Sequence, residues 1–114
     1  MNERDIKRLS KTLSLPTTIV DLAAFENNID TLLQTAAHHG KRVRLATKSL
    51  RHTGLIRRII ERGGEQICGL MCYAASEAVW WATLGFDDLL VAYPTVQDDD
   101  LNAVAQAVQR GTTI

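Results

Sequence analysis

Val43-Arg44-Leu45-Ala46-Thr47-Lys48-Ser49 is the segment of this 114-residue chain whose residue types and spacing could do chemistry. It reads as a strand from Val43 to Thr47 or Lys48, and side chains along a strand alternate between its two faces. Val43, Leu45 and Thr47 then share a face apolar enough to take helices. Arg44, Ala46 and Lys48 share the other, two cations on either side of a small alanine. Cations taken out of water need a compensating group, so that face is expected to meet solvent or an anionic ligand. The plainer alternative is a solvated lysine at the strand end, with Arg44 paired to an acid. Lys48 falls at the carboxyl end of the strand, where parallel α/β folds place their active sites. A lysine partly buried beside a second cation is held toward its neutral form, and a neutral amine is what Schiff-base chemistry requires.

Other reactive residue types carry less. Cys68 and Cys72 are four apart; on a strand they share a face but lie about 13 Å from each other, too far for a disulfide. They read as two buried thiols acting as small hydrophobes. Tyr93, at the end of a strand, reads as a core aromatic, with pocket lining as the alternative. His38 and His39 point about 100° apart on a helix, which suits a helix C-terminus and solvent rather than one metal ion. No His/Cys/Asp cluster has metal-ligand spacing, and there is neither a Gly-rich phosphate loop nor a G-x-S-x-G elbow.

The elements that must position Lys48 follow a repeat. Gly40, Gly63-Gly64, Gly85 and Gly111 each close an amphipathic stretch, as a glycine just past a helix does. A first strand is expected at Thr17-Thr18-Ile19-Val20. Asp21 then caps a helix whose apolar stripe is Phe25, Ile29, Leu32, Leu33 and Ala36. The second strand, carrying Arg44 and Lys48, leads to a helix with Leu55, Ile56, Ile59 and Ile60 inside. Arg57, Arg58, Glu61 and Arg62 form its solvated face. A third strand spans Gln66 to Tyr73, with a helix from about Ser76 to Leu84 on which Trp80 and Trp81 cover two faces. A fourth runs from Asp88 to Tyr93. Thr95 and Asp98 are expected to cap the last helix, with Leu101, Val104, Ala105 and Val108 as its stripe. Thr112-Thr113-Ile114 looks like the opening of a fifth strand.

Lysine plus arginine number 13 against 13 aspartate plus glutamate, so the formal net charge is zero, which argues against a nucleic-acid or membrane-surface partner. Hydrophobic residues at 46% and charged residues at 23% are ordinary for a globular domain, and the length allows one domain at most. No apolar run reaches the roughly 18 residues a membrane span needs. Met1 to Lys11 is polar and of mixed charge, unlike a signal peptide, so a cytoplasmic location is expected. Residues 1–15 read as a polar arm and 16–114 as the folded unit.

In order and spacing, Pro16-Thr17-Thr18-Ile19-Val20-Asp21-Leu22, Asn27-Asn28-Ile29, Arg44 through Arg51, Glu77-Ala78 and Gly85-Phe86-Asp87-Asp88-Leu89-Leu90 resemble the N-terminal part of the alanine-racemase-like barrel of the fold type III pyridoxal-phosphate enzymes. The resemblance is nearest to the branch of D-threonine aldolases, D-serine dehydratases and amino-acid deaminase/aldolase proteins. It implies that Lys48 is the catalytic lysine, binding pyridoxal 5'-phosphate covalently as a Schiff base, and that Arg44 matches a cofactor-side arginine of that branch. Leu45-Ala46 stand where many members have Pro-His. Leu50-Arg51-His52 departs from the tyrosine-containing segment usual in alanine racemases, which favours lyase over racemase chemistry.

The resemblance implies the first four βα units of a (β/α)8 barrel, a fold that takes about 250 residues when complete; a small open parallel α/β sandwich is the alternative. A small, D-configured amino acid would be the substrate. The phosphate-binding loops, the C-terminal β domain and the ligands of a divalent metal would lie outside this chain. The full-length protein is expected to be a homo-oligomer, a dimer, and the 114 residues alone to be inactive and to aggregate or pair with another copy. A racemase of the same fold, a non-catalytic pyridoxal-phosphate-binding homeostasis protein, and a ligand-free assembly piece are the competing readings.

Overall fold

The computed structural model describes residues 2–114. Helix α1 (Glu3–Ser10) is held at its start by a reciprocal capping box. The Asn2 side chain accepts from the Asp5 N–H, and the Asp5 carboxylate accepts from the Asn2 N–H. No residue of α1 is buried. The chain then continues without a strand through Thr17-Thr18-Ile19-Val20. The first expected strand is therefore absent: a β-branched run forms a strand only where a neighbour can complete its ladder, and this one is not paired.

Helix α2 (Leu22–His38) begins as expected, with the Asp21 side chain accepting from the Ala24 N–H at 3.2 Å. It buries Ile29 and Leu33. Strand β1 (Val43–Ala46), helix α3 (Thr53–Gly63), strand β2 (Ile67–Cys72), helix α4 (Ala75–Thr83), strand β3 (Leu89–Val91) and helix α5 (Asp98–Gln109) follow. Short 3-10 turns at Thr47–Ser49 and Gly64–Gln66 precede α3 and β2. Gly40, Gly64, Gly85 and Gly111, which end the helical segments, all have positive φ. The fold is mixed α/β, built on an open three-stranded parallel sheet in the order β1-β2-β3. After β3, the Thr113 carbonyl accepts from the Leu89 N–H at 2.9 Å and Ile114 packs on the core. The expected fifth strand is thus present as one hydrogen bond rather than as a ladder.

One face of the sheet takes the helices. Ile29 and Leu33 of α2 and Ile59 of α3 pack with Ile67, against Val43 and Leu45. Ile56 of α3 and Ala78 and Trp81 of α4 pack with Leu70, Cys72, Phe86 and Leu89. Leu45, Leu50 and Ile60 touch both groups, so the core is continuous. On the opposite face Leu90 stays half exposed. Arg58 pairs with Glu26, and Arg62 with Asp30 at 2.6 Å, so two cations of the expected solvated face instead tie α3 to α2. Arg57 lies 4.6 Å over the Phe86 ring.

Both Ile67 and Leu70 face the helices although three residues apart, which unbroken alternation forbids. A bulge resolves this. Val43 pairs with Ile67 but Leu45 with Leu70, and Gly69 carries the extra residue at φ +68. The bulge also separates the cysteines. Cys72 is buried and Cys68 half-buried, on opposite faces rather than the shared face expected from strict alternation.

Candidate functional site

The carboxyl ends of the three strands carry Lys48, Tyr73 and Tyr93. β1 ends at Ala46, and Thr47–Ser49 forms a 3-10 turn closed by the Leu50 N–H donating to the Thr47 carbonyl at 3.0 Å. Lys48 is therefore not a strand residue, and alternation with Arg44 and Ala46 does not set its direction. The partial burial expected of it is also absent, because Lys48 is exposed. The turn lifts it off the sheet.

Thr47 takes the opposite course. It is fully buried and is the one buried polar side chain among the described residues. Its single hydroxyl proton is shared between two acceptors, Glu77 Oε1 at 2.9 Å and the Met71 carbonyl at 3.2 Å. Glu77 Oε2 accepts the Tyr73 N–H at 2.5 Å. The Tyr73 and Tyr93 rings lie 4.7 Å apart, tilted, and each is half exposed. Tyr93 is thus an exposed edge aromatic, not the core aromatic expected, because β3 ends at Val91 and leaves it beyond the ladder. Thr95, expected to pair with Asp98, instead donates to Asp100 at 3.0 Å, and α5 starts without a side-chain cap.

Arg44 is engaged. Its Nη2 pairs with Asp88 Oδ1 at 2.8 Å, and its Nη1 donates to the Asp88 carbonyl at 2.7 Å and to the Leu70 carbonyl at 3.4 Å. Asp88 has φ +54, and its carbonyl also accepts the Leu70 N–H at 3.0 Å. Arg44 therefore reaches across β2 and holds the start of β3. The two cations of the segment part company: one is bonded to an acid, the other is exposed.

A further residue is tuned by this region. Burial pushes the Cys72 thiol up to about 11, the Glu77 carboxylate pushes it the same way, and Arg44 opposes them. In the folded chain at pH 8, Cys72 is expected to resist iodoacetamide while half-buried Cys68 reacts. Peptide mass spectrometry of native and urea-unfolded samples reads the difference. Alkylation of Cys72 as fast as Cys68 in the native sample would contradict the burial. The role of Glu77 was not evident in the sequence. The trace it leaves there is a glutamate in the first turn of a helix whose cap, Ala74, has no side chain to exchange with it.

A cavity of about 300 Å³ lined by Arg57, Phe86, Gly69 and Asp87 lies at the other end of the strands. Its guanidinium already donates to the Leu84 carbonyl at 2.6 Å, so it offers little chemistry. Among the described residues, no group of three or more His, Cys, Asp or Glu is placed to hold a metal ion. Among them, too, no helix is long and apolar enough to cross a membrane.

The geometry presents a primary amine on a short turn beyond β1, at the end of the sheet where Tyr73 and Tyr93 follow β2 and β3. An exposed primary amine is the group a carbonyl-bearing cofactor would require, whereas both Nη atoms of Arg44 are already bonded within the protein. No protein-family model matches the chain, and no curated protein matches it.

Proposed function

We propose that this chain is the leading part of a pyridoxal-phosphate-dependent enzyme of lyase type, aldolase or dehydratase, acting on small D-amino acids, with Lys48 as the residue that attaches the cofactor. The observation that carries the proposal is the placement of Lys48, an exposed amine on the turn immediately beyond the carboxyl end of β1 in an all-parallel sheet. The strand order follows the chain order, and α2, α3 and α4 pack on one face. That arrangement supports the opening units of a (β/α)8 barrel, whose helices all lie outside.

Pyridoxal phosphate, when bound, supplies an electron sink for charge developing at a substrate α-carbon. This chain's part is the attaching amine, a general acid or base once that amine is freed, and the aromatic edge of Tyr73 and Tyr93. Arg44 keeps β1 and β3 in register behind them. The phosphate cradle, the acid or base on the opposite side of the substrate, and any divalent metal are assigned to residues outside this chain. A cytoplasmic homodimer is the proposed state of the whole enzyme.

The test is borohydride trapping with pyridoxal phosphate, followed by peptide mass spectrometry. Lys7, Lys11 and Lys41 serve as internal controls. The trapping is run on this chain and on the full reading frame. Label concentrated on Lys48 in the full reading frame, and its complete loss in Lys48→Ala, is the expected result. Equal label on all four lysines, or none, in both proteins overturns the proposal.

A further inference from the structure

Glu77 is at the third position of α4, where a glutamate ordinarily reaches back to its own helix cap. Here it does something else. One carboxylate oxygen takes the hydroxyl proton of Thr47, at 2.9 Å, and the other takes the Tyr73 N–H, at 2.5 Å. A single side chain thus joins the end of β1, the end of β2 and the start of α4. Thr47 is the residue immediately before Lys48 and opens the turn that carries it.

We propose that Glu77 is the positioning residue for Lys48, acting through the Thr47 hydroxyl to hold the 47–49 turn in one place relative to the sheet edge. The functional meaning of this rests on Lys48 being the cofactor-attaching amine; the tether itself does not. Two features separate a positioning role from simple support of the fold. Thr47 keeps a second acceptor, the Met71 carbonyl at 3.2 Å, so its buried hydroxyl is not orphaned when Glu77 is changed. And the turn beyond Thr47 is closed by one backbone bond, Leu50 N–H to the Thr47 carbonyl at 3.0 Å, so its order depends on how firmly Thr47 is held.

The test uses the 114-residue chain with Glu77→Ala, Glu77→Gln, Thr47→Val and Thr47→Ser, and two readouts. The first is amide hydrogen exchange at Leu50, compared with Leu70, whose N–H is held by the Asp88 carbonyl away from the turn. The second is borohydride-trapped pyridoxal phosphate on Lys48. Loss of a charge-assisted hydrogen bond is expected to speed Leu50 exchange about tenfold or more relative to Leu70 in Glu77→Ala and Thr47→Val. Glu77→Gln, which keeps one acceptor oxygen and serves if the alanine variant does not fold, falls between. Thr47→Ser, which keeps the hydroxyl, restores the parent rate.

The double variant Thr47→Val/Glu77→Ala is expected to be no faster than Thr47→Val alone, which already removes the Glu77 contact. Lys48 labelling falls in the same variants and recovers in Thr47→Ser. If Leu50 and Leu70 accelerate together, or Leu50 does not change, the positioning role is overturned, whatever the labelling shows. If Leu50 responds as stated but Lys48 takes no label in either the 114-residue chain or the full reading frame, the tether stands and the cofactor reading is the one that fails.

Discussion

Gly69→Ala is expected to destabilise the fold by about 2–5 kcal/mol, from the left-handed backbone and overpacking combined. A Cβ at this position would lie 1.9 Å from the Asp88 carbonyl oxygen and 2.7 Å from the Asp88 Cβ. Neither can move cheaply. The carbonyl accepts both the Leu70 N–H and the Arg44 guanidinium, and Asp88 is itself at φ +54. Gly69, at φ +68, sits where an L side chain is strained even without the contact. Domains of this size have only about 5–15 kcal/mol in total, so the variant sits near the limit of folding. Urea unfolding at constant m-value reads the loss directly. A change under about 1 kcal/mol, the size of an ordinary surface substitution's upper range, would mean that the bulge does not form in solution.

Trp81→Ala is expected to cost about 3–5 kcal/mol, the range for emptying a large core site. Trp81 is 1% exposed and meets Phe86 edge-to-face at 5.0 Å. It is the largest fully buried side chain, in the cluster that joins α3 and α4 to β2 and β3. Its neighbour Trp80 is 49% exposed, and Trp80→Ala is expected to cost under about 1 kcal/mol. Two adjacent, identical residues thus give opposite results in the same denaturation experiment. Trp81→Phe gives a third point. The Trp81 indole N–H is buried with no hydrogen-bond partner among the described residues, so phenylalanine loses volume but no hydrogen bond. Its cost is expected to be well below that of alanine. Equal losses for Trp80→Ala and Trp81→Ala would contradict the packing.

The helices were legible because their information is local. Asp21 at the cap, the stripe from Phe25 to Leu33 and Gly40 beyond the end specify α2 within one stretch of chain. For α3 and α4 the stripe and the closing glycine sufficed without a recognised cap, whereas α1 was missed: residues 1–15 read as a polar arm although Asn2 and Asp5 form a capping box. The strands were legible only as candidates. Thr17–Val20 is wholly β-branched and Val43–Ala46 has a single β-branched residue, yet only the second has a partner. The bulge was hidden because Ile67-Cys68-Gly69-Leu70-Met71-Cys72 reads as one unbroken strand. Gly69 was its sole trace.

At the site, the position of Lys48 near a strand's carboxyl end was readable, while its place on a turn beyond β1 was not, since that depends on Thr47 turning inward to Glu77. The Arg44–Asp88 pair joins residues 44 apart. No spacing rule connects them, although pairing of Arg44 with an acid was one of the two alternatives open from the sequence.

That pair has a consequence for how the molecule melts. β1 touches β2, β2 touches β3, and α2 and α3 pack as neighbours, as do α4 and α5. Such an architecture behaves as a short chain of links, and linked units of this kind can fray one at a time from either end. Arg44 spans the middle link and grips Asp88 at the mouth of the last. Added to the continuous core, this guanidinium ties β1 directly to the start of β3, so that loosening the first strand also releases bonds held by the third.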